Sequence, residues 1–136
     1  MIKNMKVLFV CTGNSFRSAV AEALLKKLRP DLKVESAGTQ PAGKIASNAK
    51  RLLEEEDALE SLKESPEGIE NKNLEEYDLI VAMKERHKNE ILQRFPRVKG
   101  KIRVWDVDDP IYLPNGSDRR VVQEIKRRVV ELAESI

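Results

Sequence analysis

The sequence contains very few residues with thiol or imidazole side chains. Its 136 residues include one cysteine, Cys11, and one histidine, His87. A single cysteine excludes an intramolecular disulfide and a zinc site built from several thiolates, so we expect neither a metal nor a cofactor. A lone cysteine is either an inert core residue or a nucleophile, and its neighbours in the sequence have to decide between the two.

Aromatic residues and long apolar runs are also scarce. Aromatics make up 4% of the chain, so aliphatic side chains must form the core. No apolar run approaches the roughly 20 residues that span a bilayer. The short apolar run at residues 7–10 is too brief for the core of a signal peptide. We therefore expect a cytoplasmic protein with no membrane partner.

The charge balance excludes one further class of partner. Charged residues make up 35% of the chain and hydrophobic residues 40%, which is an ordinary globular composition. The length fits one domain, so residues 1–136 are expected to form a single unit. A net charge of +2 is too small to indicate a nucleic-acid partner. Nothing in the sequence fixes the oligomeric state.

Apolar periodicity predicts strands that alternate with helices. The predicted strands cover residues 6–10, 33–37, 78–83 and 101–105, and the predicted helices cover about 17–28, 45–56, 85–94 and 118–134. The acidic stretch 54–76 is predicted to hold a short helix and a loop. This order indicates an α/β three-layer sandwich, with a four-stranded parallel sheet and helices on both faces. Ligands of such sheets bind beyond the carboxyl ends of the strands.

An anion-binding loop is predicted directly after the first strand, from Cys11 to Ser18 (Cys-Thr-Gly-Asn-Ser-Phe-Arg-Ser). The start of the following helix presents free N–H groups and the positive end of the helix dipole. Gly13 and Asn14 are residue types that tolerate positive φ, which lets successive N–H groups curl around an anion. Arg17 can place its planar guanidinium against two phosphate oxygens.

Cys11 lies at the mouth of this loop, where the same donors favour its thiolate form. A thiolate beside a bound phosphate can attack phosphorus and form a cysteinyl-phosphate. Ser18 is predicted either to donate a hydrogen bond to that thiolate or to cap the helix, and the residues alone leave both roles open. A Cys-x5-Arg pattern is weak by itself, but between a strand and a helix it favours a nucleophile over a buried structural cysteine.

The loop resembles the phosphate-binding loop of the low-molecular-weight protein tyrosine phosphatases, Cys-x-Gly-Asn-x-x-Arg-Ser. The similarity covers essentially the whole chain and continues in residues 21–23, 36–39 and 109–112. It implies a phosphomonoester hydrolase that acts on a phosphorylated protein or a small phosphomonoester. It also implies that inorganic phosphate and other oxyanions inhibit the enzyme.

The resemblance also assigns roles within the loop. It implies that Cys11 is the nucleophile and that Arg17 binds the phosphate and the transition state. Asn14 would hold the loop at positive φ, and Ser18 would donate a hydrogen bond to the thiolate. The remaining loop positions would contact the substrate, and these are Thr12, Gly13, Ser15 and Phe16.

A proton donor for the leaving oxygen is predicted on the loop after the last strand. Residues 105–110 offer three aspartates, Asp106, Asp108 and Asp109, at the sheet edge that carries the cysteine. The residues alone do not choose between Asp108 and Asp109. The resembled family carries its acid immediately before a proline, which corresponds to Asp109 and leaves turn or surface roles for the other two.

The substrate class is less sharply indicated. Phosphotyrosine is the default by resemblance, and Tyr112 is the one aromatic residue expected to wall the site. Ser15 is small and polar, where tyrosine phosphatases often hold an isoleucine-like residue. The related bacterial arginine phosphatases carry a hydroxyl residue there, so protein-arginine phosphatase activity is an alternative.

An arsenate reductase and a phosphate-binding module without turnover compete with a phosphatase as interpretations of the loop. The loop is similar to that of thioredoxin-coupled arsenate reductases, but that route needs two more cysteines than this chain has. A module without turnover would need neither Cys11 nor Asp109, so their presence favours an enzyme.

His87, in the charged stretch 84–88, is predicted to face solvent, and Arg119 could attract anionic substrates.

Overall fold

A computed structural model describes residues 5–136. The strands are β1 (Lys6–Cys11), β2 (Lys33–Gly38), β3 (Leu79–Ala82) and β4 (Ile102–Val104), and the α-helices are α1 (Arg17–Leu28), α2 (Ser47–Glu55), α3 (Glu85–Arg94) and α4 (Ser117–Ser135). Most predicted boundaries agree with these to within one or two residues. The stretch predicted to hold one short helix contains three single-turn 3-10 helices, at residues 59–61, 69–71 and 74–76.

The four strands form one parallel sheet in the order β2-β1-β3-β4. The strand order reverses beside β1, because β2 lies on one side of it and β3 on the other. In α/β sheets such a reversal opens a crevice at the carboxyl ends of the strands, where ligands bind. The predicted four-stranded parallel sheet, with Cys11 at the end of the first strand, is confirmed.

The side chains of β1 alternate between the two faces of the sheet, and each face has its own core. Val7 and Phe9 join a cluster with apolar residues of α1, α2 and α4. Leu8 and Val10 join a second cluster with Ile91 of α3. Helices therefore cover both faces, and the predicted three-layer arrangement is confirmed.

Helix α1 is deeply packed next to the site. It lies between the sheet and α4, and its residues are buried continuously from Arg17 to Leu25. The small side chains of Ala19, Ala21 and Ala23 are fully buried and allow its neighbours to approach closely. This packing fixes the first turn of α1, and with it the end of the loop that follows β1. Among residues 5–136, no helix is both long and apolar enough to cross a bilayer.

Gly38 ends β2 against the loop that follows β1. A Cβ at this position would lie 2.4 Å from the carbonyl oxygen of Thr12 and 3.0 Å from the backbone nitrogen of Asn14. The two chain segments are also joined by the Thr39 N–H, which donates to the carbonyl oxygen of Cys11 at 3.0 Å. Since the neighbouring atoms belong to the backbone, only a residue without a Cβ lets the loop adopt this position.

We predict that Gly38→Ala displaces the loop and lowers the free energy of unfolding by about 1–3 kcal/mol, the usual cost of overpacking. Urea unfolding gives this change, and the thermal shift caused by added inorganic phosphate reports whether the loop still binds an anion. Gly100→Ala is the matched control, because a Cβ there meets no atom within 4 Å. Equal stability and equal phosphate shifts in both variants would show that the loop does not need this close approach.

Candidate active site

The loop between β1 and α1 has the curl that an anion site requires. Asn14 adopts a φ of 53°, in agreement with the prediction of positive φ. Gly13 does not adopt positive φ, so the corresponding expectation for Gly13 is wrong. A Cβ at Gly13 would instead lie 3.3 Å from the Oγ of Ser15, so crowding inside the loop favours a small residue.

The side chain of Asn14 is fully buried and holds the loop in place through hydrogen bonds to neighbouring segments. Its Nδ2 donates to the hydroxyls of Ser18 and Ser36, each at 2.8 Å. Its Oδ1 accepts from the Lys63 Nζ at 2.7 Å and from the Glu67 N–H at 2.9 Å. All the hydrogen-bonding capacity of this amide is used, which locks its orientation. The sequence patterns did not predict the parts played by Lys63 and Glu67.

Cys11 and Ser18 are in direct contact. The Cys11 Sγ lies 3.0 Å from the Ser18 Oγ, and both side chains are buried. The Ser18 oxygen accepts a hydrogen bond from Asn14, so its single hydrogen is donated elsewhere. The Cys11 sulfur at 3.0 Å is a nearer acceptor than the carbonyl oxygen of Ala37 at 3.5 Å. Helix α1 begins after Phe16 without any side-chain cap, so the prediction of a capping Ser18 is wrong. The geometry favours a hydroxyl donor for a thiolate.

Arg17 connects the phosphate loop to the loop that carries the predicted acid. Only 2% of its side chain is exposed. One guanidinium nitrogen donates to the carbonyl oxygen of Val107 at 3.0 Å, and the other lies 3.4 Å from the Oδ2 of Asp109. The structure therefore brings Arg17 and Asp109 together, and it places Cys11 at the start of the same loop as Arg17, against Ser18.

The prediction that His87 faces solvent is wrong, because its side chain is only 1% exposed. The Lys84 N–H donates to the His87 Nδ1 at 3.1 Å, so the ring hydrogen is assigned to Nε2. That Nε2 lies 2.8 Å from the Thr12 Oγ1 and donates to it. The Thr12 oxygen therefore acts as an acceptor, and its hydroxyl hydrogen remains available to another acceptor.

A signal for the burial of His87 is present in the sequence. His87 and Ile91 are four residues apart and therefore share one face of α3, and Ile91 is fully buried. The charges around His87 suggest an exposed helix because the neighbouring charged side chains occupy the other faces. Burial, together with the positive charges of Arg17, Arg86 and Lys84, lowers the pKa of His87 to about 3.

A cleft of about 530 Å³ opens in front of the loop. The predicted site residues that line it are Thr12, Gly13, Ser15, Phe16, Asp109 and Tyr112. The Tyr112 side chain is 79% exposed and stands at the rim next to the equally exposed Ile111. Arg119 forms an ion pair with Glu55 and does not line the cleft, which gives no support to a role in attracting substrates.

A buried cysteine beside a hydroxyl donor, in a curled loop with an arginine and a facing carboxyl group, defines a cysteine-dependent phosphatase site. Residues 6–136 match the model of the low molecular weight phosphotyrosine protein phosphatase family. The chain is 36% identical over 104 residues to the low molecular weight protein-tyrosine-phosphatase Wzb of Escherichia coli K12, which covers 74% of this chain and 71% of that protein.

Two further similarities involve arginine phosphatases. The chain is 32% identical over 142 aligned positions to a protein-arginine-phosphatase of Geobacillus stearothermophilus, covering 96% of this chain and 95% of that protein. It also matches the structure of a YwlE arginine phosphatase mutant with a phosphorylated active-site serine, at a TM-score of 0.83 and 30% identity, covering 96% of this chain and 95% of that one. The chain belongs to the low molecular weight phosphotyrosine protein phosphatase family, as the sequence predicted.

The low pKa of His87 predicts a pH-dependent stability. Between its ordinary value of 6.5 and about 3, the unfolded chain holds a proton on this imidazole and the folded chain does not. The free energy of unfolding therefore falls as the pH drops through this window, by up to about 1.4 kcal/mol per pH unit. His87→Gln can keep a hydrogen bond to Thr12 without titrating, so we expect it to lose less stability.

Urea unfolding of wild type and His87→Gln at about pH 7 and about pH 5 measures this difference. Carboxylates contribute equally to both proteins and cancel in the comparison. The same loss of stability in the two proteins would mean that His87 takes up a proton in the folded state.

Proposed function

We propose that this chain is a protein phosphatase that works through a cysteinyl-phosphate, with phosphotyrosine as its substrate. The observation that carries the proposal is that one curled loop holds the Cys11 sulfur against the Ser18 hydroxyl and the Arg17 guanidinium beside the Asp109 carboxyl group. We also propose that residues 1–136 act as one domain in the cytoplasm, where a lone thiol stays reduced.

In the first step the Cys11 thiolate attacks phosphorus, and the bond from phosphorus to the leaving oxygen breaks. The loop N–H groups, Arg17 and the Thr12 hydroxyl hold the other phosphate oxygens and stabilise the charge that builds up on them. Asp109, in its protonated form, gives its proton to the leaving oxygen. The products of this step are the free alcohol or phenol, an Asp109 carboxylate and the phosphorylated cysteine.

In the second step a water molecule attacks the phosphocysteine. Asp109, now a carboxylate, takes a proton from this water, and the sulfur leaves as a thiolate that receives the Ser18 hydrogen bond. Inorganic phosphate is released and is expected to compete with substrate for the same loop. The related structure with a phosphorylated active-site serine supports a covalent intermediate at the nucleophile position.

Phosphotyrosine is supported as the substrate by the similarity to the protein-tyrosine-phosphatase of Escherichia coli. The exposed ring of Tyr112 stands at the rim of the cleft, where it can pack against an aryl leaving group. The neighbouring Ile111 and Pro110 extend this apolar wall.

Phosphoarginine is a second candidate because polar side chains also line the cleft. Ser15, Asn48 and Asp118 line it and offer hydrogen-bond acceptors. The Asp118 Oδ2 accepts from the Asn48 Nδ2 at 3.2 Å and from Arg51 at 3.2 Å, so this carboxylate already receives one guanidinium. The similarity to a protein-arginine-phosphatase supports this candidate independently.

We predict metal-independent hydrolysis of p-nitrophenyl phosphate in EDTA that disappears in Cys11→Ser, because a serine hydroxyl in the same position is a far weaker nucleophile than a thiolate. Asp109→Ala is expected to lower kcat/KM by roughly 10²–10⁴-fold, the usual contribution of a general acid. Steady-state kinetics measure both effects. Asp31→Ala removes a surface carboxylate before β2 and is the control that should leave the kinetics unchanged. Full activity in Cys11→Ser would contradict the nucleophile assignment.

Ser15→Ile tests whether position 15 contacts the leaving group of the substrate. The change replaces a hydroxyl that can accept from a guanidinium with an apolar side chain that can pack against an aryl ring. We expect the ratio of kcat/KM for a phosphotyrosine peptide over a phosphoarginine peptide to rise by about tenfold or more. Ser117→Ala removes another hydroxyl from the cleft lining and serves as the control. An unchanged ratio would mean that position 15 does not contact the leaving group.

A further inference from the structure

The loop after β4 is held along its length by neighbouring elements. The N–H groups of Trp105 and Val107 donate to the carbonyl oxygens of Ala82 and Met83, at 3.0 and 2.7 Å. The carbonyl oxygen of Val107 accepts from Arg17. These bonds fix the backbone just before Asp109, the proposed general acid.

Lys84 adds a charged contact to the same loop. Its Nζ donates to the Oδ1 of Asp106 at 2.8 Å and to the Oδ1 of Asp108 at 2.6 Å. The two carboxylates raise the pKa of Lys84, and its ammonium group lowers the pKa of Asp108. Lys84 therefore joins the two aspartates on either side of Val107, and Asp108 immediately precedes Asp109.

Residues 84–87 also contact the phosphate loop, and we call this segment the bracket. The backbone N–H of Lys84 donates to His87, and His87 donates to Thr12. One short segment after β3 therefore contacts the acid loop through the Lys84 side chain and the phosphate loop through the His87 ring. Through these two contacts the segment links the acid loop to the phosphate loop.

The contact between Arg17 and Asp109 is not suited to hold the acid during the reaction. It is long, at 3.4 Å. The first chemical step needs a protonated Asp109, and a bound phosphate competes for the same guanidinium. Once substrate is bound, the position of the acid rests on its remaining contacts. These are the hydrogen bond from the Ile111 N–H to the Asp109 Oδ1 at 3.1 Å and the contacts that hold the loop before Asp109.

We propose that Lys84 is a positioning residue for the general acid, acting through Asp106 and Asp108, and that the bracket sets the geometry between Asp109 and the phosphate loop. This inference rests on the proposed function. Lys84 touches neither substrate nor the reacting atoms, so its effect should appear where proton donation limits the rate.

The test compares two leaving groups in wild type and Lys84→Met. Phenyl phosphate releases a basic phenolate that needs the proton, whereas dinitrophenyl phosphate releases an acidic phenol that leaves as the anion. We expect kcat/KM to fall by about 5- to 50-fold for phenyl phosphate, less than loss of the acid itself, and to change by less than about twofold for dinitrophenyl phosphate. Since kcat/KM reports the steps up to phosphorylation of the enzyme, the comparison isolates the acid's first role.

Lys126→Met is the matched control. Lys126 forms an ion pair with Glu56 at 2.6 Å between α4 and the end of α2, outside the residues that line the cleft. Both changes remove one ammonium group from a surface ion pair, which usually contributes less than about 1 kcal/mol to stability. We expect Lys126→Met to affect the two substrates equally. Lys84→Arg, which can still reach two carboxylates, should recover most of the lost phenyl phosphate activity.

A double-mutant cycle with Asp109→Asn separates positioning from a general structural effect. If Lys84 acts through the acid, Lys84→Met should have almost no effect on phenyl phosphate hydrolysis once Asp109 can no longer donate a proton. Trp105, the one tryptophan of the chain, lies on the same loop and reports its order independently of activity. We expect acrylamide to quench its fluorescence more strongly in Lys84→Met than in Lys126→Met.

The outcomes distinguish this inference from the proposed function. Equal losses for both phosphate esters in Lys84→Met, or a full additional loss in the Asp109→Asn background, would overturn the positioning role while leaving the phosphatase assignment intact. Unchanged phenyl phosphate kinetics in Lys84→Met would overturn it as well. Absence of Cys11-dependent hydrolysis of dinitrophenyl phosphate in wild type would instead overturn the proposed function.

Discussion

The site depends first on the four hydrogen bonds of the buried Asn14 amide. A residue at positive φ costs free energy, and the loop keeps it because the amide is bound on both its donor and acceptor sides. This conformation curls the loop and places the Asn14 amide as a donor to the Ser18 oxygen. The Ser18 hydroxyl is thereby oriented as a donor whose nearer acceptor is the Cys11 sulfur. The nucleophile's environment therefore follows from the backbone shape, and the absence of a Cβ at Gly38 gives that shape the room it needs.

The buried guanidinium of Arg17 keeps its positive charge next to the loop, and polar groups around it satisfy its hydrogen bonds. Its guanidinium bonds to the Val107 carbonyl and approaches the Asp109 carboxylate, which places the acid beside the phosphate position. His87 nearby stays neutral because burial and the surrounding cations lower its pKa to about 3. Neutrality is also what its hydrogen bonds require, since a protonated ring could not accept from the Lys84 N–H.

The strands, the helices, the phosphate loop and the family could be predicted from the sequence. Each is marked by apolar periodicity or by motifs of a few neighbouring residues. The sequence did not reveal the parts of the site that come from distant segments. His87 meets Thr12 across 75 positions, and Lys63 meets Asn14 across 49. A run of charged residues such as 84–88 describes a solvated helix on average, and only the position of Ile91 one turn later marks the buried face. The expectation for Gly13 failed for a related reason, since glycine permits positive φ without requiring it.

Contacts that matter little for stability can matter for the rate of such an enzyme. The Lys84 side chain is 27% exposed and its two aspartate partners are more exposed still, so these two ion pairs contribute little to folding. Proton transfer depends on the position of the acid far more steeply, because a barrier change of about 1.4 kcal/mol alters the rate tenfold. A surface cluster that holds the acid loop can therefore be significant for catalysis while being nearly neutral for the fold. The same reasoning explains why sequence patterns, which report burial, identify the nucleophile's loop more readily than the residues that hold the acid.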